Sequence, residues 1–279
     1  MYGFALRPRW IASHVLVLVL VVVMVNLGFW QLRRLDERQE RNALVRGRMA
    51  EPVVGIEDLL EPSDDAAAAE DVLYRRVEAS GRYLADEELL VRSRSLDGSP
   101  GAWVLAPLET ADGEAVVVNR GWVPVTDPRG EVPDDARAPE GAVEIEGLVF
   151  PTQERGRFGP RDPQDEELES LARADVERLQ AQVDPDLYPA YVQLREQQPA
   201  QQGELPVLLD PPELDEGPHL SYAVQWFIFS TIALVGYPLV LRRVARTREP
   251  EAAAVGSNGR VPEPERHEAR SGAGAKGTA

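Results

Sequence analysis

A group of polar and aromatic side chains opens a long apolar run late in the chain, in the stretch HLSYAVQWFIF that begins at His219. At 3.6 residues per turn, His219, Tyr222 and Trp226 fall on one face of a helix, and Gln225 lies to its side. An imidazole can ligate a metal, aromatic rings can form flat apolar walls, and amides can hydrogen-bond a polar edge. Together these groups suit a flat apolar cofactor with a central metal ion, held by the imidazole as axial ligand.

A second group closes the first apolar run, where Gly28, Trp30 and Gln31 lie close together. A glycine at such a position lets a neighbouring helix approach closely. In a hairpin of two membrane helices, this group and the His219 group lie at the same depth. An interfacial belt of Trp and Tyr at headgroup level is the alternative interpretation. It explains the histidine and the amides less well, because a buried polar group costs about 1–3 kcal/mol unless it is paired.

Two apolar runs must position these side chains. Residues 11–29 contain no charged residue other than His14, whose charge depends on pH, and residues 220–241 contain none. At about 1.5 Å per residue, each run can cross a hydrocarbon core of about 30 Å as a helix. We therefore predict transmembrane helices over residues 11–30 and 219–241. A cleaved signal peptide is the alternative for the first run, but the run is too long and no small-residue cleavage motif follows it.

Arginines flank the two runs on the sides nearest the chain ends: Arg7, Arg9, Arg242, Arg243, Arg246 and Arg248. The excess of arginine predicts that residues 1–10 and 242–279 are cytoplasmic and that residues 31–218 are extracytoplasmic. Further arginines after the first run oppose this orientation, but acidic residues separate them, and long domains translocate largely regardless of charge. The predicted location is a bacterial plasma membrane, with two spans and both termini inside. The tail after residue 249 has a composition typical of disorder.

The segment between the runs predicts a mostly β domain. Seven stretches have the composition of short strands, and they are RRVEASGRYL, ELLVRSRS, AWVLAPLET, EAVVVNRGW, AVEIEGLVF, AYVQLRE and LPVLL. The Asp112-Gly113 pair is a strong hairpin signal between the third and fourth. Between Asp162 and Val183, apolar residues recur at intervals of three and four residues. This pattern predicts one helix, with Asp162 as its N-cap. The predicted fold class is two transmembrane α-helices flanking a small β barrel or sandwich of α+β type.

The composition excludes several classes of function. The chain has no cysteine, so disulfides and thiolate chemistry are excluded. Its net charge of −17 argues against a nucleic-acid partner. The three histidines are scattered, the single lysine, Lys276, lies in the tail, and the common motifs of hydrolases, zinc proteases and nucleotide-binding enzymes are missing. We therefore predict no catalytic residues and no enzymatic activity.

Four motifs, in this order, resemble the surfeit-locus protein one family of cytochrome c oxidase assembly factors: LGFWQLRR, GRYL, VVVNRGWVP and PHLSYAVQWFIF. The resemblance extends from about Ala5 to Arg243. The bias toward arginine, with one lysine among 30 basic residues, is typical of high genomic G+C content and suggests an actinobacterial-like member. Bacterial members of the family resemble haem a-binding proteins, with a histidine of the second membrane helix implicated, and His219 is the matching position.

The resemblance implies transient binding of haem a, with His219 as the ligand of the haem iron. The residues expected around the cofactor are Trp30, Gln31, Arg120, His219, Tyr222, Gln225 and Trp226. Arg120 could pair with a haem propionate through its two-pronged guanidinium, or could equally hold a turn. Gly81 and Gly121 are expected to serve the backbone. His14, at the opposite end of the first helix, is expected to be an interfacial histidine.

The family resemblance also implies partners. The hairpin would accept haem a from haem a synthase and present it to subunit I of the oxidase, in contact with membrane lipid. The alternative is a scaffold that docks on oxidase subunits and binds no cofactor. A haem absorption band in purified protein separates the two hypotheses.

Overall fold

The structure is a computed structural model that describes residues 3–124, 131–156, 159–160, 162, 168 and 170–257, with side chains described as far as residue 247. The chain divides into two compact units, one formed by Met1–Glu37 with Gly217–Ala279 and the other by Arg38–Glu216. Helices and strands follow in the order α1 (Pro8–Ala50), β1 (Val54–Gly55), α2 (Ala66–Asp71), β2 (Arg76–Tyr83), β3 (Leu89–Leu96), β4 (Ser99–Thr110), β5 (Ala115–Val123), β6 (Ala142–Pro151), β7 (Ser170–Leu171), α3 (Val176–Gln180), β8 (Leu187–Gln198) and α4 (His219–Ser257).

The first unit consists mainly of residues from the two long helices, α1 and α4. Both contain stretches long and apolar enough to cross a membrane, within Pro8–Ala50 and His219–Thr247, and most residues of those stretches are exposed. Exposed apolar side chains along a helix are expected where lipid is the solvent. The finding confirms two candidate membrane helices, one on each side of the β domain in the sequence. The helical conformation of α1 continues past the end of its apolar run, as far as Ala50.

The second unit is built on one sheet of eight strands, in the order β1-β2-β6-β8-β5-β4-β3-β7. Strands β4 and β5 form the hairpin expected from Asp112-Gly113, where Gly113 has a positive φ of 84°. Strand β2 pairs with β6 along its length and also with β4 from Gly81 to Tyr83. The sheet therefore curls into a sandwich-like α+β arrangement. A Cβ atom on Gly81 would collide with the carbonyl oxygen of Glu109, so close backbone approach explains this glycine.

Strand β5 lies at the centre of the domain. All nine of its residues are buried, because apolar side chains cover the sheet on both sides of the strand. One cluster contains Val116 and Val118, and another contains Val117. The strand carries Asn119 and Arg120 into the interior, where 1% and 0% of their surfaces are exposed. Gly121 follows with a φ of 134°, a conformation that favours glycine, which bears out its expected backbone role.

Six of the seven predicted strands are present, as β2 to β6 and β8. The seventh, LPVLL at residues 205–209, makes only an isolated bridge between Val207 and Trp122. Its backbone exchanges two hydrogen bonds of 2.8 Å with Trp122. This single bridge adds one residue pair beside the end of β5, and the described residues form no further strand there.

The helix predicted from Asp162 to Val183 is wrong over much of its described part. Ser170–Leu171 form strand β7, which pairs in parallel with β3, and the helix is confined to Val176–Gln180. Asp175, rather than Asp162, caps that helix by accepting a hydrogen bond from the Arg178 backbone N–H. Residues 163–167 and 169 of the predicted helix lie outside the described residues.

Asp162 has a tertiary role instead of a capping role. Its carboxylate accepts hydrogen bonds from Arg92 at 2.7 Å and from the backbone N–H of Ala172 at 2.9 Å. The apolar periodicity of this segment reflects burial against the sheet, since Leu171 and Leu179 are both fully buried. Tertiary pairing therefore overrides the local helical pattern.

Candidate functional site

The side chains of Gln31 on α1 and His219 on α4 form a direct hydrogen bond. The distance from Gln31 Oε1 to His219 Nδ1 is 2.8 Å, and both side chains are partly buried. His219 is the first residue of α4, directly after Pro218 and Gly217, and Gly217 has a positive φ of 67°. A turn built on Gly217 thus delivers the imidazole to the start of the helix.

This contact defines which ring nitrogen of His219 carries the proton. The Oε1 atom of an amide can only accept a hydrogen bond, so Nδ1 of the imidazole must donate. In a neutral ring the other nitrogen, Nε2, then holds a free lone pair. No hydrogen bond joins Nε2 to any residue that the structure describes. His219 therefore offers one unoccupied nitrogen with the electronic form that a metal ligand requires.

The aromatic side chains near His219 are open to the outside of the helix pair. The exposed fraction is 47% for Tyr222 and 46% for Trp30. Trp226 is half-buried and meets Phe229 edge to face, with ring centroids 6.2 Å apart. His219, Tyr222 and Trp226 share a helix face by their spacing of three and four residues. Together they make an open apolar face beside the imidazole rather than an enclosed core.

One close side-chain contact between α1 and α4 involves Gly28, three residues before Gln31 on α1. A Cβ atom added to Gly28 would come within 2.8 Å of the Phe227 ring, so this glycine leaves room for that ring. Phe227 also meets Phe29 edge to face at 5.4 Å. On α4, Ala223 and Ser230 are buried, with 1% and 4% of their surfaces exposed. The buried positions on this part of α4 are thus occupied by small residues, as is common where membrane helices pack.

His14, near the other end of α1, has both ring nitrogens within hydrogen-bonding distance of protein oxygens. Its Nδ1 lies 2.7 Å from the Tyr237 hydroxyl, and its Nε2 lies 3.2 Å from the carbonyl oxygen of Ala5. The Tyr237 hydroxyl is also 2.9 Å from Ser13 Oγ. His14 therefore has no free ring nitrogen in this arrangement and acts as part of a polar contact between the helices.

Arg120 lies inside the β domain. Its Nη1 donates to Glu88 Oε1 at 3.0 Å and to the Ala136 carbonyl at 2.6 Å. The guanidinium carbon lies 5.4 Å from the centre of the Tyr83 ring. Glu88 Oε1 also accepts from the Ala138 backbone N–H at 2.9 Å. Arg120 thus holds the segment around Ala136 against the sheet, and its binding to a haem propionate stays a prediction.

The ion pair of Arg120 and Glu88 is incompletely hydrogen-bonded. Arg120 Nε and Nη2 and Glu88 Oε2 are buried and have no hydrogen-bond partner among the residues that the structure describes. Burial raises the pKa of the Glu88 carboxyl above its usual value, although the nearby Arg120 guanidinium opposes the shift. Burial also raises the pKa of the Tyr83 hydroxyl. Keeping the charges of Arg120 and Glu88 in the interior therefore carries a desolvation cost for the folded protein.

The structure joins some of the predicted site residues and separates others. It brings Gln31 into contact with His219, and it places Trp30, Tyr222, Gln225 and Trp226 on the same two helices, with Gln225 exposed. Arg120 belongs to the β domain, in the other compact unit.

Two residues that bind these side chains, Tyr237 and Glu88, were not predicted from the sequence. A hairpin of two helices places Tyr237 near His14, so its hydroxyl was a usable signal. Glu88 lies 32 positions before Arg120, and this spacing gives no indication that the two side chains meet.

Comparison with known sequences gives one consistent result. A sequence model of the SURF1 family matches residues 18–231. An uncharacterized SURF1-like protein of Mycobacterium tuberculosis is 31% identical over 253 residues, which cover 90% of each chain. A SURF1-like protein of Rickettsia felis is 22% identical over 236 residues, covering 83% of this chain and 98% of its own length. A SURF1-like protein of Monosiga brevicollis is 30% identical over 153 residues, covering 50% of this chain and 55% of its own length.

Proposed function

Because the chain belongs to the SURF1 (surfeit-locus protein one) family, which is linked to oxidase assembly, we propose that it is a haem a carrier in the assembly of cytochrome c oxidase. It receives haem a from haem a synthase, binds it through His219, and presents it to subunit I. The family consists of assembly factors rather than known enzymes. In the proposed role the protein makes and breaks one coordination bond and leaves the haem chemically unchanged.

The observation that carries the proposal is the state of His219. Its Nδ1 is occupied by Gln31 Oε1 at 2.8 Å, and its Nε2 has no hydrogen-bond partner among the described residues. His14, the other histidine of the helix pair, has both nitrogens engaged. Of these two imidazoles, only that of His219 can ligate iron without breaking a hydrogen bond.

The surroundings of His219 fit a flat apolar ligand held on one side. Trp30 and Tyr222 expose nearly half of their surfaces, and Trp226 exposes part of its ring. Aromatic faces of this size can cover a macrocycle, and the Tyr222 hydroxyl and the Gln225 amide can hydrogen-bond its polar edge. A bound haem would supply the iron, and the His219 imidazole would hold it. A single ligand on an open face suits a carrier that must release its cargo.

Membrane topology follows from the same proposal. The two apolar helices suggest a membrane protein. We place both termini in the cytoplasm, because arginines flank the helices there, among them Arg7, Arg9, Arg242 and Arg243. The β domain is then extracytoplasmic, and the end of α4 that carries His219 lies on the same side. Subunit I, a membrane protein, can approach that end of the helix pair laterally through the lipid.

A purified sample tests the carrier hypothesis directly. The protein is produced together with the enzymes of haem a synthesis, extracted in detergent, and examined by absorption spectroscopy. We expect a haem a spectrum in the wild type, a strong loss of haem in His219→Ala, and full retention in the matched variant His14→Ala. Haem retained by His219→Ala and lost by His14→Ala would reject the assigned ligand. A colourless wild type that still co-purifies with oxidase subunits would support the scaffold function instead.

A further inference from the structure

The partner of His219 is a neutral amide, and this choice has a consequence for haem release. We infer that Gln31 is a positioning residue that acts on haem only through His219. It fixes the proton on Nδ1, aims Nε2 outward, and keeps the imidazole a moderate ligand so that haem can be handed on. This inference rests on the proposed carrier function for its second half, whereas its first half concerns the protein without haem.

Gln31 first selects the tautomer of the His219 imidazole. A free histidine side chain exchanges its proton between the two ring nitrogens, and only the form with a bare Nε2 can bind iron through that atom. The 2.8 Å contact with Gln31 Oε1 stabilises the form that is protonated on Nδ1. It also restrains the rotation of the ring. Metal-ligating histidines commonly have such a partner on their second nitrogen, and loss of the partner typically lowers metal affinity by about 10–100-fold.

The partner of the His219 imidazole is an amide and not a carboxylate. A carboxylate on Nδ1–H raises the basicity of the imidazole and strengthens its bond to the metal. An amide oxygen carries no net charge and polarises the ring less. The nearest carboxylate on α1 in the sequence after Gln31 is Asp36, and Glu37 pairs with Arg34 at 2.6 Å. Gln31 is therefore the position at which an introduced carboxylate would contact Nδ1–H and make His219 a stronger ligand.

Gln31 is not the only residue that joins the two helices within the part of the chain that the structure describes. Gly28 packs against the Phe227 ring, and Ala223, four residues before Phe227 on α4, is buried. At the opposite end, Tyr237 is hydrogen-bonded to both Ser13 and His14. Substitution of Gln31 should therefore leave the helix pair intact, so that changes in haem binding report on His219.

The test compares Gln31→Glu and Gln31→Leu with the wild type in detergent. Asn26→Leu is the matched control, because the Asn26 amide donates to the Val22 carbonyl of its own helix, at 2.7 Å. The first measurement is nitrogen NMR of labelled histidine in the haem-free protein. We expect a proton on Nδ1 of His219 in the wild type and in Asn26→Leu, and a mixture of tautomers in Gln31→Leu.

The second measurement is the rate at which haem passes from the loaded protein to a haem-scavenging apoprotein, together with the reduction potential. We expect release to be about 10-fold faster in Gln31→Leu and about 10-fold slower in Gln31→Glu, with Asn26→Leu unchanged. The potential should fall in Gln31→Glu, because a more basic ligand favours ferric iron.

Each outcome separates the inference from the proposed function. A wild-type protein that retains no haem rejects the carrier function, while the NMR result still decides the tautomer. A proton on Nε2 in the wild type overturns the role of Gln31 whether or not haem binds. Equal release rates in Gln31→Glu, Gln31→Leu and the wild type overturn the control of release and leave the carrier function standing.

Discussion

The carboxylate of Glu88 lies 3.0 Å from the guanidinium of Arg120, and the exposed fractions of the two side chains are 1% and 0%. The pair joins the start of β3 to the central strand β5, and both side chains also bind the backbone between Ala136 and Ala138. A buried pair of this kind contributes little net stability, but the loss of one partner leaves an uncompensated charge. Glu88 and Arg120 should therefore behave as one unit when they are mutated.

The first prediction concerns single and paired substitutions of these residues. Arg120→Leu should lower the free energy of unfolding by about 3–5 kcal/mol, because Glu88 remains buried without its partner. The double variant Arg120→Leu with Glu88→Leu should be destabilised by less than the sum of the two single variants. Denaturant unfolding of the full chain in detergent measures both. Additive effects would show that the two residues do not interact.

The second prediction concerns the pH dependence of stability. Burial raises the pKa of Glu88 in the folded protein above its value in the unfolded chain. The folded state thus favours the protonated form, and the resulting stability is present below the unfolded pKa of about 4.3 and is lost as pH rises through the folded pKa. Glu88→Gln removes this loss. The variant should gain stability relative to the wild type as pH rises across that window, and parallel stability curves would contradict the assigned shift.

The third prediction tests the contact at Gly28. Gly28→Ala should destabilise the helix pair by about 1–3 kcal/mol, because the new methyl group comes within 2.8 Å of the Phe227 ring. Gly236→Ala on α4 is the matched control, since its new methyl group would meet no neighbouring atom of the described residues within 4 Å and alanine favours a helix. Thermal unfolding in detergent compares the two. Equal midpoints for both variants would mean that Phe227 moves aside without cost.

The fourth prediction grades the polar contacts of the proposed haem site. Tyr222→Phe and Gln225→Leu should each weaken haem binding by at most about 0.5–1.5 kcal/mol, because each removes no more than one hydrogen bond. That corresponds to roughly a tenfold change in affinity or less. Haem titration monitored by absorbance gives the dissociation constants. A loss as large as that of His219→Ala in either variant would point to a second iron ligand or a misfolded site.

The fifth prediction addresses topology. A reporter enzyme that is active only outside the cytoplasm should work when fused near Gly98, in the turn between β3 and β4, and should fail when fused at Gly256 in α4. The arginines that flank the helices are the physical reason. The reverse pattern of activity would overturn the orientation.

Much of the architecture could be predicted from the sequence because its signals are local. Apolar runs longer than a membrane is thick identify α1 and α4, and a Gly with a positive φ after Asp112 marks the β4–β5 turn. The segment after Asp162 misled the prediction, because residues buried against a sheet can mimic a helical period. Strand β7, which is two residues long, exists only through its pairing with β3.

The two ionic and polar pairs differ in how far the sequence could predict them. Gln31 and His219 are 188 positions apart, yet a helix hairpin places them at one depth, so their proximity was predictable and their hydrogen bond was not. Arg120 was singled out as a residue able to pair with a carboxylate. Nothing in the sequence around Glu88 showed that this carboxylate would fold over β5. Long-range contacts of single side chains leave no periodic pattern.

The contact between Gln31 and His219 joins an amide oxygen to an imidazole nitrogen, so it requires no charge on either side chain. Moving a charge from water into hydrocarbon costs several kcal/mol even after relaxation, whereas a neutral hydrogen-bonded pair avoids that cost. Under the proposed function, such a contact suits a site at the border of the bilayer, where an acceptor embedded in the membrane would meet the helix pair. Gln31→Glu would place a carboxylate in this contact, and a tighter hold on haem would then come with that desolvation cost.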